Sequence, residues 1–143
     1  MNSFKTFRFS IILISLSYFV NAQNHLFDAL VKNAQQENKK VLLYFSGSDW
    51  CAPCMKFKKT YINSVDFQEF SKNNLMLFNA DFPRKKANQL NFEQTKENEA
   101  LAEKYNSKGI FPYIVLLDGN GKILKKWESL PIETVLEFIT QLK

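Results

Sequence analysis

Cys51 and Cys54 are the only two cysteines in the 143-residue chain, and just Ala52 and Pro53 separate them. At this spacing one helical turn brings the sulfurs within bonding distance if the pair opens a helix. A helix N-terminus also presents N–H groups without intrahelical partners and about half a positive charge, and both favour a thiolate over a thiol. In such settings a cysteine pKa falls from about 8.5 to roughly 3.5–7.5. The chemistry implied is reversible disulfide exchange. Cys51, nearest the helix start and the loop surface, is expected to attack. Cys54, one turn in and more buried, is expected to resolve the mixed disulfide. Two other uses of the pair stand beside this one. A permanent structural bridge is compatible with the spacing, although so short a loop constrains the unfolded chain little. A zinc site needs four ligands, and beyond the pair the chain offers only His25 and carboxylates. His25 itself reads as a surface or helix-start residue.

The pair needs a strand before it and a helix after it, and the flanking residues supply both. Val41-Leu42-Leu43-Tyr44-Phe45 is a short, nearly continuous apolar run typical of a buried strand. Ser46-Gly47-Ser48-Asp49 breaks it, and Pro53 falls in the first turn of the next helix, where its missing N–H costs nothing. Upstream, Leu26, Phe27, Leu30, Val31 and Ala34 form one helical stripe over residues 24–36. Downstream, Ser64 is placed to cap a further helix through Phe70. Leu75 to Ala80 reads as a second buried strand and residues 81–94 as a polar loop. Residues 95–105 read as a helix with Ala100, Leu101 and Tyr105 inward, and Tyr113 to Leu117 as a third strand. Asp118-Gly119-Asn120-Gly121 is a hairpin signal leading to a fourth strand with Ile123, Leu124 and Trp127. Pro131 is expected to open a last helix carrying Ile132, Val135, Leu136, Ile139 and Leu142. Strands one and two, separated by helix, must run parallel, whereas three and four, joined by a tight turn, must run antiparallel. The expected fold is α/β, a mixed four-stranded sheet with helices on both faces.

Composition narrows the class. Hydrophobic residues make up 45% of the chain and aromatics 15%, enough for one core, while four Gly and four Pro argue against a disordered or collagenous chain. The formal charge is +5. Residues 1–22 join Lys5 and Arg8 to a short apolar stretch, Ile11 to Val20, and end in Val20-Asn21-Ala22. This is the pattern of a secretory signal peptide cleaved after Ala22, leaving a single domain over residues 23–143. An uncleaved anchor is the alternative, but the stretch is shorter than the roughly 20 residues that span a bilayer. Without Lys5 and Arg8, 17 basic residues face 14 acidic ones, a weak argument for a nucleic-acid partner. The clusters Lys56, Lys58, Lys59 and Arg84, Lys85, Lys86 read as solvated faces.

With these residues in view, the chain resembles the thioredoxin family over roughly residues 40–142. The resemblance rests on Val41–Phe45 followed by Asp49-Trp50-Cys51-Ala52-Pro53-Cys54, on Gly109-Ile110-Phe111-Pro112, and on Asp118-Gly119-Asn120-Gly121. It implies a thioredoxin-like fold in which Pro112 follows a cis peptide bond and faces the cysteine pair. Phe45-Ser46-Gly47-Ser48-Asp49-Trp50-Cys51 and the long stretch from Asp81 to Leu101 look like the bacterial extracytoplasmic branch. Three departures stand out. The strand before the cysteines lacks the buried acid that helps deprotonate the resolving thiol in thioredoxin, which leaves Asp49 or solvent. Phe111, large and apolar, precedes the proline. Ala52-Pro53 replaces the usual Gly-Pro, with Pro53 leaning toward a reductant.

The expected function is a thiol:disulfide oxidoreductase, periplasmic or secreted and acting as a reductant. It needs no cofactor beyond the redox-active Cys51–Cys54 pair. Cys51 and Cys54 are its catalytic residues, and Trp50, Ala52, Pro53, Phe111 and Pro112 support or contact substrate. Its partners are protein thiols or disulfides and an upstream redox partner, with no nucleic acid, no membrane after leader cleavage, no bound metal, and a monomeric state. The competing reading is a binding or chaperone-like module that uses Trp50, Phe111 and Pro112 while the cysteines are incidental.

Overall fold

Strand pairing follows from what lies between the strands. The computed structural model describes residues 26–143, so the leader expected over residues 1–22, its cleavage after Ala22, and His25 lie outside the described residues. Helix α1 (Leu26–Gln36) leads into β1 (Lys40–Ser46), then α2 (Ala52–Phe57), whose helical path continues through a π-helical turn at Lys58–Ile62. Next come α3 (Val65–Asn74), β2 (Leu75–Asp81), a 3₁₀ turn at Lys86–Asn88, and α4 (Phe92–Tyr105). β3 (Tyr113–Leu117), β4 (Ile123–Trp127) and α5 (Val135–Leu142) complete the described chain. The sheet runs β2-β1-β3-β4. β1 pairs parallel with β2, from Lys40 opposite Leu75 to Ser46 opposite Asp81, as the helical crossover demands. β1 pairs antiparallel with β3, and β3 antiparallel with β4, with an irregularity at Leu116/Leu117.

The alternation of strand side chains divides the core in two. Leu42, Tyr44, Ile114 and Leu116 meet Phe57, Phe67 and Phe138 from α2, α3 and α5. Val41, Leu43, Phe45, Val115 and Leu117 meet Phe27 of α1 with Leu101 and Tyr105 of α4 on the other face. Helices therefore cover both faces of a mixed four-stranded sheet, as expected. Phe138 is fully buried and its ring packs against those of Phe57, Tyr61, Phe67 and Trp127.

Three local expectations are corrected. The fourth helix begins at Phe92, not Thr95, because the Asn91 side chain accepts from the Gln94 N–H and starts the helix earlier. In that helix Ala100 is exposed, while Glu97 and Asn98 turn inward with Leu101 and Tyr105. The last helix begins at Val135, because Thr134 and Glu137 form a reciprocal capping box. Pro131 instead sits buried in the preceding turn, where its carbonyl accepts from the Tyr61 hydroxyl, and Ile132 is almost fully exposed. In the hairpin only Gly121 takes positive φ, and the Asp118 carboxylate accepts from the Asn120 and Lys122 N–H groups.

Candidate active site

The turn after β1 aims the cysteine pair. Trp50 and Cys51 both donate their N–H to the Gly47 carbonyl, at 3.3 and 2.9 Å. Cys51 is the N-cap of α2, with extended backbone (φ −95°, ψ 95°), and Pro53 occupies the first turn as expected. The Cys51 sulfur accepts from the Cys54 N–H at 3.3 Å, one of the donors a helix start leaves without an intrahelical partner. Cys51 and Cys54 form a disulfide, with S–S 2.03 Å and Cα atoms 5.2 Å apart. The expected difference in exposure is absent: both residues are 4% exposed. What distinguishes them is the backbone, since the N–H points at Cys51 and not at Cys54. Ala52 and Pro53 are exposed between them.

The Phe111–Pro112 peptide bond is cis. The loop before it is held by Asn106, a buried side chain that both donates to the Ile110 carbonyl (2.8 Å) and accepts from the Ile110 N–H (3.0 Å). Phe111 leans its ring edge-on to Trp50, at 5.3 Å between centroids, and to Phe82 at 5.5 Å. Trp50 is fixed on further sides. Its indole N–H donates to the Phe82 carbonyl at 2.7 Å, the Arg84 guanidinium lies 3.8 Å from the ring centroid, and Gly47 packs under it.

Two carboxylates tie the end of β2 and the segment after it to the end of β1 and the turn before Cys51. Asp49 accepts from the Arg84 and Lys85 N–H groups and the Asn88 side chain, at 2.9, 2.8 and 3.0 Å. These bonds, led by that from Arg84, hold its carboxyl below the usual carboxylate range. Asp49 therefore organises a loop, and as a weakly basic anion it is a poor receiver for a cysteine proton. Asp81 accepts from the Ser46 hydroxyl and from the Ser48 N–H and hydroxyl. Tyr44, inside β1, is pushed up to about 12, chiefly by burial and then by Asp81, so it stays protonated at neutral pH. Asp81, Arg84 and Asn106 are the supporting residues that the sequence reading did not single out. Arg84, Lys85 and Lys86 are exposed, as a solvated face should be, and the Arg84 guanidinium in addition lies over the ring of the residue next to Cys51. Among the described residues no group of three or more His, Cys, Asp or Glu is placed to hold a metal ion.

Comparison with known proteins agrees with this geometry. A family model described as a thioredoxin-like domain matches residues 27–141. The chain is 33% identical over 106 residues to the disulfide bond reductase DsbH of Chlamydia pneumoniae, covering 74% of this chain and 62% of that protein. It thus spans less than two thirds of that relative's length. A solved structure of a DsbH oxidoreductase superposes with a TM-score of 0.72 at 30% identity, covering 80% of this chain and 76% of the other. A disulphide isomerase from Xylella fastidiosa Temecula1 superposes with a TM-score of 0.61 over 90% of this chain and 98% of that one. At 14% identity it speaks to the fold alone.

Proposed function

The chain belongs to the thioredoxin-like family, and from that premise we propose that it is a thiol:disulfide oxidoreductase acting on protein disulfides outside the cytoplasm, in the direction of reduction. The observation that carries the reading is the Cys51 sulfur at the N-cap of α2, receiving the Cys54 N–H. The Cys51 thiolate attacks one sulfur of a client disulfide. That disulfide breaks, a mixed disulfide forms, and the departing client thiolate takes a proton from solvent. Cys54 then loses its proton and attacks the Cys51 sulfur, which closes the Cys51–Cys54 disulfide and releases the second client thiolate. Two electrons pass to the client. A dithiol donor returns the pair to its reduced form, and no cofactor takes part.

Trp50, which precedes Cys51, and Phe111, which packs edge-on to it before the cis bond to Pro112, offer the client chain an aromatic wall and a backbone edge, while Ala52 and Pro53 form the exposed bridge between the cysteines. With Asp49 engaged by its loop and Tyr44 held protonated, the Cys54 proton goes to solvent. Residues 1–22 serve as a leader cleaved after Ala22, and residues 23–143 act as a monomer in the periplasm or an equivalent compartment. The relative's name, a disulfide bond reductase, supports the reductive direction. The test is insulin reduction with a dithiol donor. The Cys51→Ser variant loses turnover entirely under this reading. Full activity in that variant would overturn it, and a double Cys→Ser variant that still rescued a deletion strain would favour the binding-module reading instead.

A further inference from the structure

An open cleft of about 670 Å³ lies between the residue before Cys51 and the residue before Pro112. It is lined by Trp50, Phe82, Pro83, Arg84, Gly109 and Phe111. The segment after β2 builds one wall. Its two nearby carboxylates are engaged internally, Asp49 by N–H donors of that segment and Asp81 by Ser46 and Ser48. Of its cations, Lys85 lies near enough to Asp49 to help hold that carboxyl low. Arg84, Lys85 and Lys86 are exposed. Neither ion pair among the described residues, Lys39–Glu37 or Lys126–Glu128, involves them. The Arg84 guanidinium carbon lies 3.8 Å from the Trp50 ring centroid, on the lining of the cleft, and among the described residues its side chain makes no hydrogen bond or ion pair. A guanidinium held by stacking on a ring that is itself fixed is preorganised to receive a carboxylate. On the far side of Phe82 and Gly109 the adjoining groove carries Glu99 and Glu103, so the charge changes sign across Phe82.

We propose that this cleft docks the client chain, that Arg84 is its specificity-determining residue, and that the preferred client is an extended polypeptide bearing an acidic side chain beside its target cysteine. The proposal rests on the oxidoreductase reading and adds the class of substrate. The charge reversal beyond Phe82 gives the cleft a direction: an acidic residue fits the Arg84 side and is repelled on the Glu99 and Glu103 side.

The experiment uses two short peptides identical except for Asp or Lys at one position beside a single cysteine held in a mixed disulfide with 2-mercaptoethanol, the position, before or after the cysteine, being the one at which the wild type discriminates more. The reduced protein should act on the Asp peptide about three- to fivefold faster in kcat/KM at low salt, the size of one exposed charge pair. The ratio should fall toward one as salt rises from about 0.01 M to about 1 M and the screening length shrinks from about 30 Å to 3 Å. Arg84→Gln should reduce the low-salt ratio and Arg84→Glu should invert it, while Lys72→Glu on α3, with the same change in net charge, should leave it as in the wild type. A wild-type ratio of one, or a ratio unchanged in Arg84→Glu, overturns the proposal. Hydroxyethyl disulfide, small and neutral, separates the two levels: failure to reduce it refutes the oxidoreductase reading, whereas its reduction with no Asp preference refutes only the cleft. Peptides with Ser for Cys read the cleft without chemistry. The Asp form should shift the Trp50 indole N–H resonance at lower concentration than the Lys form, and equal shifts count against the proposal.

Discussion

Adding one methyl group at Gly47 should disable the site without touching a sulfur. A Cβ there would lie 2.2, 2.4 and 2.5 Å from Trp50 Cε2, Nε1 and Cζ2. Carbon atoms in contact sit about 3.5–4.0 Å apart, so the indole must retreat by more than about 1 Å. Backbone freedom is not the issue, since the glycines with positive φ are Gly109 and Gly121. The retreat breaks the 2.7 Å bond from Trp50 to the Phe82 carbonyl and lifts the ring from Arg84 and Phe111. Overpacking of this kind costs about 1–3 kcal/mol, and the lost hydrogen bond about 0.5–1.5 kcal/mol more. For a domain of this size, 2–4 kcal/mol corresponds to a fall in Tm on the order of 10 °C. Thermal unfolding of Gly47→Ala, together with its rate of insulin reduction, measures both consequences. The double-mutant cycle with Trp50→Ala isolates the cause, because removing the indole removes the clash and the two changes should be strongly non-additive. A Gly47→Ala protein with wild-type Tm and activity, or strictly additive effects, would refute the reasoning.

Other consequences are simpler to state. The Asp49 carboxyl is held below its ordinary range by the N–H donors of Arg84 and Lys85 and by Asn88, so its tether is present above the ordinary carboxylate pKa and is lost as pH falls through the lowered value. Hydrogen exchange should therefore show the Arg84 and Lys85 amides protected at neutral pH and released only below about pH 4, with Asp49→Ala releasing them at neutral pH. Asn98, 1% exposed, donates to the Asp81 carbonyl at 2.8 Å and accepts from Gln94. Asn98→Ala leaves that carbonyl without its partner and should cost about 1–3 kcal/mol in urea unfolding. Phe138→Ala, which empties the centre of an aromatic cluster, should cost about 3–5 kcal/mol in the same assay.

The fold was legible wherever one local signal dominated. Val41–Phe45 and Tyr113–Leu117 are uninterrupted apolar runs, and the parallel pairing of β1 with β2 and the antiparallel pairing of β3 with β4 follow from what connects those strands, whereas no local signal marks the pairing of β1 with β3. The cysteine pair and Pro112 were legible because their chemistry is bound to short spacings and to a family resemblance. Helix starts were less so. Asn91 and Thr134 are both capping types, but Pro131 and the apolar Ile132 offered a competing start, and only the closed Thr134–Glu137 box decides between them. The supporting residues were hidden for a different reason. Asp49 reaches residues 35 to 39 positions away and Trp50 reaches the Phe82 carbonyl, so their roles exist only once β1 and β2 lie parallel. Arg84 looked like one charge in a basic run because stacking on a distant ring leaves no periodic trace.

The central claim is that the backbone at the start of α2 makes Cys51 the reactive sulfur. Its most direct measurement is the ultraviolet titration of the Cys51 thiolate in the Cys54→Ser variant, with Cys54 titrated in Cys51→Ser for comparison. The account predicts that Cys51 ionises with a midpoint below about 7.5 and well below that of Cys54. A Cys51 midpoint at or above about 8.5, or one no lower than that of Cys54, would contradict it.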